Sequence, residues 1–190
     1  RNNVFDQMVK ISILVPLWNN QREFQVEMLD SVMNQTYQNW ELCLADGSDA
    51  EHGYIEEICK EYAARANGRI VYHKLEKNGG ISGNTNECFK LATGTYIGLF
   101  DQDDVLHPSA LYEYVKVINE QGADYIYCDE TTFKGNSIDN MITLHFKPDF
   151  APDNLRANNY ICHFSVFSRE LLEGTELFRS GFDGSQDHDM

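Results

Sequence analysis

The sequence predicts an α/β fold in which a mostly parallel sheet is covered by helices on both faces. Three observations carry this expectation. Short strand-like runs alternate with helical periodicity, those runs are almost continuously apolar, and polar clusters recur directly after them. At 190 residues the chain suits one domain with a single large core.

The elements follow in order. KISILV (10–15) is short and β-branched, after which Phe24, Met28, Leu29 and Val32 recur at helical spacing. WELCLA (40–45) forms a second strand, and Tyr54, Ile55, Ile58, Cys59 and Tyr62 share one helical face that ends near Gly68. RIVYHKL (69–75) precedes a helix from about Ile81 to Ala92, with Gly94 placed as its C-terminal stop. TYIGLF (95–100) precedes a helix marked by Leu111, Tyr114, Val115 and Ile118, opened by Pro108 and closed by Gly122. ADYIYC (123–128) is the fifth strand. No internal repeat, low-complexity tract or linker divides the chain.

Composition narrows the function classes. A hydrophobic content of 42%, with 11 Phe and 10 Tyr, describes a folded globule. Thirty acidic residues against 15 basic ones argue against sequence-independent nucleic-acid binding, which needs cations for phosphates. The same excess disfavours docking on anionic lipid. The five cysteines are scattered, form no CxxC pair and lie mostly in apolar runs. That pattern suits reduced, buried thiols of a cytosolic protein, not a disulfide framework or zinc site. No apolar stretch approaches the roughly 18 residues of a membrane span, and no signal peptide opens the chain. A start at Arg1 and a stop at Met190, inside a charged cluster, suggest a domain cut short at its C-terminal end.

The polar clusters fall on one edge. PLWNN (16–20), ADGSD (45–49), EKNGG (76–80) and DQDD (101–104) follow the first four strands in turn. Open α/β sheets bind ligands outside the carboxyl ends of their strands. In DQDD, like charges this close repel unless a cation neutralises them. Asp101 and Asp103 are therefore candidate ligands for Mg²⁺ or Mn²⁺, ions that bind through one or two carboxylates plus substrate phosphates. The competing reading is a solvated turn, and Asp104 is assigned to supporting the helix that follows Pro108.

The remaining clusters each allow two readings. The Gly-rich EKNGGISGN, with Gly80, offers amides to a phosphate, but it lacks the P-loop and GxGxxG signatures and serves equally as a strand-to-helix turn. Asp46 could bond a base or ribose, or simply start the next turn. Trp18 could stack on a planar base or be an ordinary core or surface residue. SGFDGSQDHDM (180–190) holds Asp183, Asp187, His188 and Asp189, any of which could act as a general base, though a surface loop would look the same.

Taken together and in this order, ISILVPLWN, QTYQNWELCLADGSD, NGGISGNTNECFKLATGTYIGLFDQDD with its following HP, and GFDGSQDHD resemble family 2 glycosyltransferases of the GT-A fold. The likeness runs from about Val9 to the last residue. FKPDFAPDNLRANNYICHFSVFSREL (146–171) is further similar to bacterial enzymes that build rhamnose-containing or O-antigen-type surface polysaccharides. The resemblance implies a Rossmann-like, mostly parallel sheet in a single GT-A-like catalytic domain. It implies inverting transfer from a UDP- or dTDP-linked sugar to a saccharide or lipid-linked acceptor, aided by Mn²⁺ or Mg²⁺. The expected setting is the cytoplasm, at the inner face of the membrane through other regions or partners.

Residue by residue, the resemblance puts Pro16, Leu17, Trp18 and Asn19 beside the nucleotide base and Asp46 in contact with it. Asp101, Gln102 and Asp103 match the DxD motif, in which Asp103 binds metal and Asp101 serves ribose or metal. Asp187 matches the catalytic base. Two departures stand out: Gln186 replaces a Glu, and Gly83-Asn84-Thr85-Asn86 lacks the Arg often found in that loop. Two rival classes compete. YIGLFDQDDV also fits the DxDxV pattern of aspartyl-phosphate phosphatases, although there the motif opens the domain and here it comes fourth. A nucleotide-sugar-binding module without turnover is the other.

Overall fold

A computed structural model describes residues 5–135 and 137–189 of the chain. Strand β1 (Ile11–Leu17) leads through helix α1 (Arg22–Met33) to β2 (Trp40–Asp46), and α2 (Tyr54–Arg65) leads to β3 (Ile70–Lys74). Helix α3 (Gly80–Leu91), strand β4 (Tyr96–Leu99) and helix α4 (Ala110–Gln121) follow. The expected helices and first four strands are all present, because each apolar stripe has a sheet face to cover.

Those four strands pair in parallel, with Leu17 opposite Asp46 and Leu14 opposite Leu99. Their alternating side chains feed two cores. Ile11, Ile13, Val15 and Leu17 pack with the apolar faces of α1, α2 and α4, whereas Leu14, Cys43 and Ala45 pack with Cys88 of α3. Cys43, Cys59 and Cys88 are buried free thiols, and burial pushes those of Cys43 and Cys59 up to about 12.

Beyond β4 the structure departs from the expected order. The fifth strand, β5, is only Tyr125–Ile126, and it does not lie beside β4. After β6 (Glu130–Phe133), β7 (Met141–His145) and α5 (Pro152–Ala157), strand β8 (Val166–Ser168) inserts antiparallel between β4 and β5. The sheet order is β3-β2-β1-β4-β8-β5, so it is mostly parallel with one reversed strand. Strands β6 and β7 form a separate hairpin. A short helix, α6 (Gln186–Asp189), closes the described chain. Among the described residues no helix is long and apolar enough to cross a membrane.

Gly94 does not stop α3, which is capped at Ala92. Its role is close approach: a β-carbon there would stand 2.5 Å from the Lys10 carbonyl and 2.6 Å from Ser12 Oγ. The Gly94 amide donates to Ser12 Oγ at 2.8 Å and to Glu41 Oε1 at 3.1 Å. Glu41, only 5% exposed, also accepts from Ser12 Oγ and the Thr93 amide and pairs with Lys10. One carboxylate of β2 thus ties β1 to the chain entering β4. Gly122 does end α4, in the left-handed conformation at φ 64°. Gly94→Ala should overpack this junction and lower stability by about 1–3 kcal/mol, read as a reduced denaturation midpoint at unchanged m-value.

Candidate functional site

Because β1, β2 and β4 end side by side, the polar clusters behind them meet in a single rim. The Gln102 side chain accepts from the Trp18 amide at 2.9 Å and donates to the Trp18 carbonyl at 3.1 Å. Asn20 Nδ2 donates to the Gln102 carbonyl at 2.6 Å. Asn19, at φ 47°, sends its amide to Ser48 Oγ and its side chain to Asp49 Oδ2. The first, second and fourth loops are therefore one hydrogen-bonded unit. Pro16 lines the cleft that this rim borders, together with Phe100, Asp101, His163 and Gln186. The Trp18 ring stays 43% exposed.

Two expected base contacts look inward instead. Leu17 is fully buried in the core, and its carbonyl accepts the Gly47 amide at 3.0 Å, so only its backbone serves the rim. Asp46 is also fully buried. Its Oδ1 accepts the Ser48 amide at 2.8 Å, and its Oδ2 takes Tyr72 Oη at 2.7 Å and Lys74 Nζ at 3.0 Å. Burial alone would raise this carboxyl's pKa, but the bonds from Ser48, Tyr72 and Lys74 outweigh it and hold the group below its usual value. With bonds to both oxygens, Asp46 fixes the second loop.

At the end of β4 the partners also differ from those expected. The Asp104 amide donates to the Asp101 carbonyl at 3.3 Å, a tight turn that brings the first and fourth residues together. Asp101, Asp104 and His163 present ligand atoms within 4.8 Å of one another. Asp103 is exposed and lies outside this group, and the N-terminus of α4 is flanked by Ser109, not by Asp104. His163 Nδ1 lies 2.7 Å from Asp101 Oδ2 and 3.4 Å from Asp104 Oδ2. Its amide donates to Glu130 Oε2 at 2.6 Å, and that oxygen also pairs with the buried Lys147 at 3.1 Å.

The hydrogen bond to Asp101 outweighs burial and, with the nearby carboxylates, lifts His163 to about 9. Burial pushes Asp104 up to about 6, against the pull of His163 and with the charges of Asp101 and Asp103 adding to the rise. Without another cation, a protonated imidazole is what holds these carboxylates together. Sequence reasoning missed His163, whose one cue is a titratable ring inside the mostly apolar ICHFSVF.

The third loop and the C-terminal segment meet as well. The Gly80 amide goes to Asn78 Oδ1 at 3.1 Å, and the first turn of α3 receives the carboxylate of Asp183, whose Oδ1 accepts the Ser82 amide at 3.1 Å. An internal anion thus occupies the place where a phosphate was expected beside Gly80. Asp189 is held by Arg179, with Nε to Oδ2 at 2.8 Å, and that bond depresses its pKa. His188 Nε2 lies 2.6 Å from the Leu155 carbonyl. Asp187 belongs to α6, but its side chain lies outside the described residues.

This geometry frames the comparison with known proteins. The model of the family described as "Glycosyl transferase family 2" matches residues 12–175. The chain belongs to glycosyltransferase family 2. The family match ends before α6, but curated relatives align across 95% of the chain. Protein y4gI of Sinorhizobium fredii is 42% identical over 184 residues, 20% of its own length. The O-antigen biosynthesis protein RfbC of Myxococcus xanthus is 34% identical over 182 residues, 14% of its length. The chain therefore corresponds to a fifth or less of either relative. Among solved structures, S. aureus TarS in complex with UDP has a TM-score of 0.74 at 19% identity, covering 94% of this chain and 53% of that one. The mannosyltransferase PcManGT from Pyrobaculum calidifontis, in complex with GDP-Man and Mn²⁺, has a TM-score of 0.63 at 20% identity, covering 94% and 51%. These neighbours share the GT-A fold, as the sequence predicted.

The trio carries a pH signature. His163 has a folded pKa above its reference of 6.5, so its contribution is complete below about 6.5 and lost as pH rises through about 9. Asp104, raised above 3.8, disfavours the fold as it ionises through about 6. Both signs agree. Metal-free protein should lose thermal stability from mildly acidic to alkaline pH, and Asp101→Asn should flatten the limb above pH 6.5 in a melting-temperature series.

Proposed function

We propose that this domain transfers a sugar, with inversion, from a nucleoside-diphosphate sugar to a hydroxyl of a saccharide or lipid-linked acceptor in surface-polysaccharide synthesis. The observation that carries the reading is the Asp101–Asp104–His163 group at the carboxyl end of β4, beside a cleft lined by Gln186. Family membership and the likeness to RfbC support the chemistry and the setting. UDP and GDP-Man in the neighbouring structures support a nucleotide-linked donor. We take UDP or dTDP as the donor nucleotide and the cytoplasm as the setting.

The trio suits a divalent cation. Carboxylate oxygens favour Mg²⁺ or Mn²⁺, and an imidazole donor favours the transition ion. When bound by Asp101, Asp104 and His163, such an ion supplies charge neutralisation to the diphosphate. The chain's own residues do the rest. The exposed Trp18 offers a stacking face to the base, above a loop fixed by Gln102 and Asn19. Asp187 takes the proton of the acceptor hydroxyl while its oxygen attacks the anomeric carbon and the bond to the diphosphate breaks on the opposite side. Internal partners of Asp183, His188 and Asp189 support that choice among the C-terminal candidates.

The phosphatase rival requires Asp101 as a free nucleophile, and here its Oδ2 is held by His163. Asp101→Ala and His163→Ala should abolish Mn²⁺-dependent UDP binding in titration calorimetry, as should Asp104→Ala. Loss with Asp103→Ala alone would return the ligand role to the third residue of the motif. Asp187→Asn should keep donor binding but slow transfer about 10²–10⁴-fold. Donor binding without any transfer in the parent protein would favour a non-catalytic module.

A further inference from the structure

The C-terminal segment reaches the cleft by leaning on α3, and its contacts are specific. Ser82 donates its amide to Asp183 Oδ1 at 3.1 Å and its hydroxyl to the Arg179 carbonyl at 3.2 Å. One turn later, Asn86 bonds the Phe178 backbone twice, donating to its carbonyl at 2.8 Å and accepting its amide at 3.1 Å. Arg179 then closes onto Asp189, at the far end of α6. The N-cap position of α3 is Gly79, which has no side chain to cap the helix, so the Ser82 amide is satisfied by a residue 101 positions away. Gly80 makes this fit possible. It sits at φ 76°, and a β-carbon there would collide with the Asp183 carboxylate.

We infer that Asp183 is a positioning residue: its carboxylate latches residues 178–189 onto the first turn of α3 and so sets where the Gln186–Asp189 helix stands at the cleft. The catalytic consequence rests on the proposed function, since it matters only if that helix carries the base. The latch itself does not. An anion is suited to this place twice over, by the unpaired amides of a helix start and by the positive end of the helix dipole. The cost of disturbing it is geometric, because a base displaced by about 1 Å can lose about 10²-fold in rate.

The experiment combines hydrogen exchange of the full chain with donor binding and transfer kinetics. In Asp183→Ala, amides of the α3 first turn and of residues 178–189 should exchange about fivefold faster, the loss of one capping bond. Asp183→Asn retains an acceptor oxygen and should restore protection. Gly80→Ala should also speed exchange at these amides, by collision with the carboxylate and by the strain of a β-carbon at φ 76°. Transfer should fall by up to about 10²-fold in Asp183→Ala, with Mn²⁺-dependent UDP affinity unchanged and partial rescue in Asp183→Asn. Unchanged exchange in Asp183→Ala would overturn the latch. Faster exchange with unaltered turnover, or turnover and UDP affinity falling together, would overturn the positioning role. Full activity in Asp187→Asn would count against the proposed chemistry alone, because the exchange arm reads the latch independently.

Discussion

Parallel alignment of β1, β2 and β4 is the constraint on which the rest depends. Three neighbouring strands that run the same way must deliver their following loops to one edge. Glu41 helps hold that alignment from the opposite end, bonding Ser12 of β1 and the Thr93–Gly94 chain that enters β4. Once the register is set, Trp18, Ser48 and Gln102 meet without any long-range design in the loops themselves. The rim is a consequence of the sheet.

An acidic chain then has to manage its own charge. Formal net charge is −15, yet three recessed carboxylates near the sheet each have a lysine beside them. Glu41 pairs with Lys10, Asp46 with Lys74 and Glu130 with Lys147. In each pair one partner is sheltered and the other about a third exposed, so losing the cation would leave a poorly solvated carboxylate without its counter-charge. Such carboxylates are therefore committed to structure. Asp101 and Asp104 differ, because their partner is an imidazole, which can give up its proton near neutral pH when a stronger cation competes. That contrast sets Asp101 and Asp104 apart from the lysine-paired carboxylates.

The same separation applies at the C-terminal segment. Asp183 and Asp189 look equivalent to Asp187 in GFDGSQDHD, but α3 and Arg179 engage them. The segment is thus braced at both ends, with Gln186 at the cleft between them. A short helix could not hold a fixed place alone, since isolated helices of a few residues are unstable. Its position derives from the helix it leans on.

By itself the sequence determined the four parallel strands, the helices that cover them, the edge where a ligand belongs and the family motifs, because periodicity and strand-end chemistry are local properties. It also placed the glycine that ends α4. Tertiary structure alone decided the rest. The antiparallel β8 is three residues long, too short for any period to declare it. Gly94 resembles a helix stop until the carbonyl of Lys10 is seen against it. Asp46 and Leu17 prove to be buried, and a turn sets Asp104, three residues on, beside Asp101. His163 joins Asp101 from 62 residues downstream. Pairings across such distances depend on how the chain closes on itself, and residue-by-residue chemistry carries no record of that.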